Sequence, residues 1–300
     1  MSQSTSSRTV GFIGLGTMGR EMAVNLIKAG IAVRGFDVRR DAVDELAALG
    51  AQAADSVADA VNGADAAIMM LPNTPDVEAV MLGEGGLIAH PPAGRLVIDM
   101  STIAPVAERR INAVCSELAI EYVDAPVSGG PRGARNATLT IMAGGTARGF
   151  DAALPFFNAM GTTVTHVGES GAGQSVKLCN QLVCGINLQA ICEALALGRA
   201  AGVDPRQLRE VLMGGSAASW MLTHLGPAMI DGDAGAGFRI DLMLKDLRLV
   251  QEQAHALHVP LPASALVTTQ YLDAVAHGEG HNGNQALYRV YDRMTAHTRD

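Results

Sequence analysis

The chain has 300 residues, of which 48% are hydrophobic and 17% are charged, so it is long enough to bury a large core and to form two domains. Its formal net charge is −8 and it contains no block of like charges, which argues against a broad surface for nucleic acid or for an anionic membrane. Any anionic ligand must therefore be held by a local pocket.

The N-terminal end and the cysteines further limit the kinds of protein that this chain can be. Residues 1–8 are polar and lack the apolar core of a signal peptide, so we expect a disordered tail there and a protein that stays in the cytoplasm. The four cysteines contain no C-x-x-C pair and the histidines no H-E-x-x-H pair. We predict no metal site and reduced cysteines in the core.

The first half of the chain alternates short β-rich runs with helical patterns, which is typical of a parallel sheet with helices on both faces. The predicted strands are Thr9–Ile13, Ala32–Asp37, Ala66–Leu71, Leu96–Met100, Glu121–Pro126, Leu139–Ala143 and Val164–Val167. The predicted helices between them are 17–29, 41–49, 75–82, 105–119 and 149–160.

Beyond residue 170 only helical patterns follow. They cover 173–201, 205–213, 239–257, 262–276 and 285–297. The first of them contains an apolar run from Leu178 to Ala201 that several amides and two charged residues interrupt, so it is too polar for a membrane span. We expect an α/β domain of the doubly wound, mainly parallel kind over 9–170, joined by this long helix to an all-α domain over 171–300.

A glycine motif follows the first predicted strand and opens the first predicted helix. It reads Gly14-Leu15-Gly16-Thr17-Met18-Gly19. Strand, glycine turn and helix form the dinucleotide-binding fingerprint of a Rossmann domain, in which the three glycines permit a tight turn, close approach of a pyrophosphate and close helix packing. All six residues are predicted to contact the cofactor.

An acidic residue ends the second predicted strand. Asp37 can accept hydrogen bonds from the adenosine ribose hydroxyls and would repel the additional phosphate of NADP, so we predict NAD(H) as cofactor. Arg39 and Arg40 leave an alternative open, because they could hold a 2′-phosphate if Asp37 turned aside.

A second glycine-containing motif follows the predicted strand that ends near Pro126. Within it, Ser128 offers a hydroxyl, and Gly129 and Gly130 offer backbone N–H groups that no side chain covers. Ligands of open α/β sheets bind at the carboxyl ends of the strands, so this segment is a candidate carboxylate site. A plain turn is the alternative.

Together with two later stretches, these motifs resemble the β-hydroxyacid dehydrogenases, the family of 3-hydroxyisobutyrate dehydrogenase and tartronate semialdehyde reductase. The four stretches are Gly11-Phe-Ile-Gly14-Leu-Gly16-Thr-Met-Gly19, Asp124-Ala-Pro-Val-Ser128-Gly-Gly130, Gly173-Gln-Ser-Val-Lys177-Leu-Cys-Asn180-Gln181 and Phe238-Arg-Ile-Asp-Leu-Met-Leu-Lys245-Asp246-Leu247.

The resemblance implies a role for residues at each of these stretches. It makes Lys177 the catalytic residue and Ser128, Gly129 and Gly130 the holders of the substrate carboxylate. It also implies that Lys245 and Asp246 close over the cofactor, and that Leu71, Pro72 and Thr102 line the dinucleotide cleft.

The chain contains three lysines and nineteen arginines, and chemical reasoning favours Lys177 for proton transfer. An arginine cannot release a proton in a protein, whereas a lysine with a lowered pKa can. In a helix Lys177, Asn180 and Gln181 share one face, so all three are candidates to meet the substrate.

The Asn180-Gln181 pair looks more like the tartronate semialdehyde reductases than like members that carry Asn-Asn. We therefore predict reduction of 2-hydroxy-3-oxopropionate to glycerate, with oxidation of 3-hydroxyisobutyrate, serine or another β-hydroxy amino acid as alternatives. A non-catalytic nucleotide-binding module is a more remote one, and a 6-phosphogluconate dehydrogenase would need a longer helical domain. We expect a homodimer or a homotetramer.

Overall fold

The computed structural model describes residues 8–295, so most of the predicted N-terminal tail and the last five residues lie outside the described part. The chain divides into two compact units, the first ending at Lys177 and the second beginning at Leu178. Each unit has its own hydrophobic core.

The first unit is built on a nine-stranded sheet within the described residues. The strands are β1 Thr9–Ile13, β2 Ala32–Phe36, β3 Gln52–Ala53, β4 Ala66–Met69, β5 Leu96–Asp99, β6 Glu121–Asp124, β7 Val127–Ser128, β8 Leu139–Gly144 and β9 Gly161–Gly168. Their order is β3-β2-β1-β4-β5-β6-β8-β7, with β9 on β8. The first six strands run parallel, and β8 runs antiparallel to β6 and β7.

Helices connect these strands and cover both faces of the sheet. They are α1 Thr17–Lys28, α2 Arg40–Ala47, α3 Val57–Val61, α4 Thr74–Leu82, α5 Pro105–Glu117, α6 Gly130–Arg135 and α7 Ala147–Met160. The sheet residues are apolar on both sides because both faces are covered: Phe12 of β1 packs in one core cluster and Ile13 in the other.

The strand order places the crossover of the chain beside β1, which lies between β2 and β4. In open parallel sheets such a switch point leaves a crevice at the carboxyl ends of the strands, where ligands bind. The predicted Rossmann-type fold is confirmed. The predictions missed β3, β7, α3 and α6, which have two to six residues and are too short to show a periodic pattern.

The second unit is helical, as predicted. Its elements are the greater part of α8 Ala172–Ala200, then α9 Pro205–Gly214, α10 Trp220–His224, α11 Gly226–Asp231, α12 Ile240–Ala256, α13 Pro262–Ala276, a 3-10 turn Asn284–Leu287 and α14 Tyr288–Thr295. The short helices α10 and α11 were not predicted.

Helix α8 has 29 residues and is, in the described part of the chain, the helix that is long and apolar enough to cross a membrane. Its apolar residues Leu188 and Leu195 lie in the core of the second unit, and it also buries the polar side chains of Gln174 and Gln189. Buried amides need protein partners, so α8 is a core helix rather than a lipid-facing one.

The sequence analysis expects all four cysteines in the core, and the structure agrees only in part. Cys115 and Cys192 are buried and Cys184 is half-buried, but Cys179 is exposed on α8. The expectation of a core position is wrong for Cys179, because the side of the helix on which a residue lies decides its burial.

Candidate active site

The glycine motif forms the turn between β1 and α1, and its three glycines differ in what surrounds them. Gly14 has a positive φ of 92°, and a Cβ there would lie 2.4 Å from the Met70 carbonyl oxygen. A Cβ on Gly19 would lie 1.9 Å from the Gly14 carbonyl oxygen. The first and third glycines are therefore demanded by the fold itself.

Gly16 is different, because nothing in the described part of the chain requires a glycine there. Its φ is −68° with an extended ψ, and no atom lies within 4 Å of the position that a Cβ would take. It is the N-cap residue of α1 and makes no side-chain cap, while the first turn of that helix carries no acidic residue. The open space before uncapped helix N–H groups fits the pyrophosphate of a dinucleotide.

Asp37 follows β2 and is held towards the glycine turn. Its Oδ2 accepts a hydrogen bond of 2.7 Å from the Leu15 N–H, and its Oδ1 accepts one of 2.8 Å from the Arg39 N–H. The carboxylate is thus anchored at both oxygens and is not turned aside. Arg40 forms ion pairs with Asp44 and Asp55, so its guanidinium is already engaged.

The predicted residues Leu71, Pro72 and Thr102 follow β4 and β5 at the same edge of the sheet. The Leu71 N–H donates a hydrogen bond of 2.9 Å to the Ser101 hydroxyl. Leu71 also reaches the glycine turn, because its Cδ2 lies 2.9 Å from the position of a Cβ on Gly14. The cofactor residues predicted in this unit therefore gather at the carboxyl ends of β1, β2, β4 and β5.

Ser128 ends the short strand β7 and is half-buried. Gly129 and Gly130 follow with φ angles of 131° and 60°, so both lie in the left-handed region that favours glycine. No atom lies within 4 Å of a Cβ built on Gly130. A hydroxyl beside two accessible glycine amides suits a carboxylate.

Lys177 lies in the second turn of α8, and the structure brings it to this motif. Its ammonium group donates a hydrogen bond of 2.7 Å to the Val127 carbonyl oxygen, next to Ser128 in the chain. Lys177 is only 7% exposed, which is unusual for a lysine. The two motifs of the candidate substrate site thus meet although about fifty residues separate them.

The remaining predicted residues lie in the second unit, where they form a chain of polar contacts. Gln181 donates a hydrogen bond of 2.5 Å to Asp246, whose other oxygen lies 2.9 Å from the Lys245 ammonium group. Asn180 donates to the Gln181 amide oxygen over 2.8 Å. Gln181 and Asp246 are buried, so this chain links α8 to α12.

Two family models match the chain in succession. Residues 9–168 match the NAD binding domain of 6-phosphogluconate dehydrogenase, and residues 171–291 match the family described as NAD-binding of NADP-dependent 3-hydroxyisobutyrate dehydrogenase. The chain belongs to the β-hydroxyacid dehydrogenase family. This confirms the resemblance that the motifs indicated and identifies the protein as an oxidoreductase.

Relatives of this dehydrogenase match over nearly the whole chain. The NAD-dependent L-serine dehydrogenase of Pseudomonas aeruginosa is 40% identical, over 95% of this chain and 98% of its own. The 2-hydroxy-3-oxopropionate reductase of Escherichia coli is 38% identical, over 96% and 98%. A crystal structure of 3-hydroxyisobutyrate dehydrogenase from Salmonella typhimurium is 31% identical, has a TM-score of 0.86 and covers 95% of this chain and 100% of its own.

This β-hydroxyacid dehydrogenase also contains a buried acidic cluster to which the sequence analysis assigned no role. Its members are fully or almost fully buried and comprise Asp99, Ser101, Glu108, Tyr122, Asp124 and Gln174. Glu108 accepts hydrogen bonds from the Tyr122 hydroxyl at 2.6 Å and from the Gln174 amide at 2.7 Å. The sequence held one signal of this cluster, because a carboxylate that ends an otherwise apolar strand, as Asp99 ends β5, requires partners.

Burial governs the protonation of this acidic cluster. It raises the pKa of Asp124 to about 6, although the N–H groups of Gly171 and Gln174 oppose the rise. It also raises the pKa of Asp99 and holds that of Glu108 well above its ordinary range, where the charges of Asp99 and Asp124 add to the effect. Burial and the neighbouring negative charges therefore favour the protonated form of Glu108.

Proposed function

We propose that the enzyme interconverts a small 3-hydroxyacid and its semialdehyde with NAD(H), and that its preferred reaction is reduction of 2-hydroxy-3-oxopropionate to glycerate. The first unit would bind the nucleotide, and the helical unit would mediate assembly into a homodimer or homotetramer. We further propose that it acts in the cytoplasm.

The observation that carries the proposal is that the buried Lys177 donates its hydrogen bond to the carbonyl oxygen of Val127, the residue before Ser128. The Ser128 hydroxyl and the N–H groups of Gly129 and Gly130 would hold the substrate carboxylate. That places the carbon next to the carboxylate, and then the reacting carbonyl, on the side of Lys177. A carboxylate bound at this motif explains why the substrate is a short acid with its oxygen function two carbons away.

Lys177 would do two things to the reacting oxygen. During reduction its ammonium group donates a hydrogen bond to the oxygen as negative charge develops, and then transfers the proton that completes the alcohol. During oxidation the neutral amine accepts that proton. The bound nicotinamide supplies or accepts the hydride. Asn180 and Gln181 lie one turn further along the helix, and we propose that they contact the far side of the substrate.

The geometry at Asp37 supports NAD over NADP. Both carboxylate oxygens accept backbone hydrogen bonds, so the carboxylate stays where a 2′-phosphate would have to lie. The relatives do not separate the two cofactors, because a similar structure, Psf3, was solved with NADP+ at 27% identity. Steady-state kinetics with both nucleotides test the point, and an equal or higher kcat/KM with NADPH would overturn the assignment.

The substrate is tested by the rate of NADH oxidation with a panel of small semialdehydes, and of NAD reduction with glycerate, 3-hydroxyisobutyrate and L-serine. The highest kcat/KM is expected for 2-hydroxy-3-oxopropionate. A higher kcat/KM for L-serine or 3-hydroxyisobutyrate would instead identify that compound as the preferred substrate. No turnover with any of them would favour a non-catalytic nucleotide-binding module.

The role of Lys177 is tested by Lys177→Arg, which keeps the charge but cannot release a proton. We expect kcat to fall by about 10²- to 10⁴-fold while NADH still binds. Lys28→Arg is the matched control, because Lys28 is exposed at the end of α1 and should tolerate the exchange. Turnover of Lys177→Arg near the wild-type value would exclude proton transfer by this residue.

A further inference from the structure

The carboxylate of Asp124 caps the helix that carries Lys177. Its Oδ1 accepts a hydrogen bond of 2.7 Å from the Gly171 N–H, and its Oδ2 accepts one of 3.0 Å from the Gln174 N–H. The first turn of α8 has no acidic residue of its own. The group that satisfies the N–H of Gln174, and the N–H of Gly171 just before the helix, therefore comes from β6, about fifty residues earlier in the chain.

The same short segment touches α8 a second time, at the site of the proposed chemistry. Three residues after Asp124, the Val127 carbonyl oxygen accepts the hydrogen bond from the Lys177 ammonium group. Ser128 follows directly. The segment from Asp124 to Ser128 is thus tied to α8 at its first turn and at Lys177, so the position of Asp124 on the helix sets the spacing between Lys177 and Ser128.

Gln174 fixes the same turn of α8 from another direction. Its side-chain amide donates to the Ser101 carbonyl oxygen at 2.9 Å and to Glu108 at 2.7 Å, and its oxygen accepts from the Ile103 N–H at 3.2 Å. The side chain is fully buried. Every polar atom of this amide is engaged with α5 or with the loop before it, so rotation of α8 about its axis would break all three contacts.

The packing around Asp124 leaves room for its carboxylate and for little else. A Cβ on Gly144 would lie 2.6 Å from Asp124 Oδ1, and one on Gly173 would lie 2.8 Å from Asp124 Oδ2. Neither glycine has a positive φ, so their small size permits this close approach of Asp124 and of nearby backbone atoms such as the Met142 carbonyl oxygen, 2.4 Å from a Cβ on Gly173. Two glycines on different elements make the space that the carboxylate occupies.

We propose that Asp124 and Gln174 are positioning residues for Lys177, which hold the start of α8 against the Asp124–Ser128 segment so that the ammonium group keeps one place beside the substrate carboxylate site. This rests on the proposed function, since it takes Lys177 to be the residue that transfers the proton. Neither residue touches the reacting atoms. They act by fixing the geometry on which the proton transfer depends.

The size of the effect follows from the sensitivity of catalysis to position. A displacement of about 1 Å at a reacting group lowers the rate by up to about 10²-fold. Asp124→Asn keeps the shape of the side chain but offers an NH₂ group to one of the two helix N–H groups. We expect kcat to fall by roughly 10- to 100-fold, with the Kd for NADH within a factor of two of the wild type, since the glycine turn does not contact Asp124.

The scarcity of lysine supplies a readout that a general loss of stability would not move. In protein labelled with ¹⁵N at the lysine side chains, only three ammonium signals are expected, and Lys177→Arg assigns one of them. In Asp124→Asn the Lys177 signal should shift and broaden while the Lys28 signal stays in place. Val176→Ala, in the same turn but with an exposed side chain, is the control that should change neither kcat nor the signal.

Gln174→Met provides a second variant in case Asp124→Asn does not fold, because it keeps the volume and removes the three amide contacts. The same fall in kcat and shift of the Lys177 signal are expected. An unchanged kcat and signal in the folded variant would overturn the inference. So would a fall in kcat matched by an equal loss of NADH binding and thermal stability with the Lys177 signal unmoved, which would indicate a structural role only.

The outcomes separate this inference from the function on which it rests. If Lys177→Arg retains wild-type turnover, the proposed function fails whatever Asp124→Asn does. If Lys177→Arg is inactive while Asp124→Asn has wild-type kcat and an unshifted Lys177 signal, the positioning role fails and the function stands.

Discussion

The buried carboxyl group of Glu108 should make the stability of the enzyme depend on pH in an unusual direction. Its pKa lies well above the ordinary value because burial disfavours the charge, and because the charges of Asp99 and Asp124 add to that effect. The folded protein therefore keeps a proton at pH values where the unfolded chain has released it. For such a group, stability is greatest below the unfolded-state pKa and is lost as pH rises towards the folded-state pKa.

The magnitude follows from the linkage relation. Each pH unit over which the folded state holds this one additional proton lowers the free energy of unfolding by about 1.4 kcal/mol. A change of about 1.4 kcal/mol corresponds to roughly 3–6 °C in Tm. Glu108→Gln resembles the protonated carboxyl group and has no proton to retain, so this contribution disappears.

The assay is thermal unfolding followed by circular dichroism at pH 5, 6, 7 and 8. The Tm of Glu108→Gln relative to the wild type should rise steadily with pH over this range. Glu117→Gln is the control, because Glu117 is exposed on the same helix α5 and its substitution should leave the difference from the wild type flat. A Tm difference between Glu108→Gln and the wild type that does not grow with pH would refute the reasoning.

Four further predictions concern the cofactor site and the second unit. Gly16→Ala should keep the wild-type Tm but raise the Kd for NADH at least about tenfold, because the Cβ enters space that only a ligand uses; unchanged binding would remove the pyrophosphate from this turn. Gly19→Ala should lose about 1–3 kcal/mol of stability as well as nucleotide binding, since its Cβ meets the backbone of the turn; a wild-type Tm would contradict this. Asp37→Ser should raise the ratio of kcat/KM for NADPH to that for NADH by on the order of tenfold, and a constant ratio would show that this carboxylate does not select the cofactor. Tyr271→Phe should lower stability by about 1–3 kcal/mol without changing kcat, because it leaves the buried Asn284 amide oxygen without its 2.6 Å hydrogen bond; a change in kcat at unchanged Tm would point to a functional role instead.

The elements that the sequence predicted well are those with a strong local pattern. The strand, turn and helix around Gly14 could be placed because the glycine spacing, the apolar strand and the helix start all indicate one conformation. The short strand β7 could not be predicted, because two residues are too few to show a periodic pattern and Val127–Ser128 forms a strand only by pairing with β8. For the same reason the helix Gly130–Arg135, which opens with a glycine and a proline, could not be predicted.

The residues of the candidate site likewise divide into those that the sequence predicts and those that it does not. Lys177 was identified as a candidate because lysine is scarce in this chain and because its helix spacing places Asn180 and Gln181 on the same face. Its partner, the Val127 carbonyl oxygen, was not identifiable, since a backbone atom carries no signature in the sequence. The role of Gln174 could not be predicted, because it depends on contacts with Ser101 and Glu108, which are far away in the chain.

By itself, therefore, the sequence determined the fold class, the glycine turn with its acidic partner Asp37 and the candidate lysine, because each depends on local backbone chemistry or on a residue type that no other can replace. Only the tertiary structure decided which way Asp37 faces, what holds Lys177, and that Asp99, Glu108 and Asp124 share one buried cluster. Parallel strands bring residues that are distant in sequence to one edge of the sheet, and the burial that follows sets their protonation. Neither the gathering of these residues nor their burial can be predicted from any single stretch of the chain.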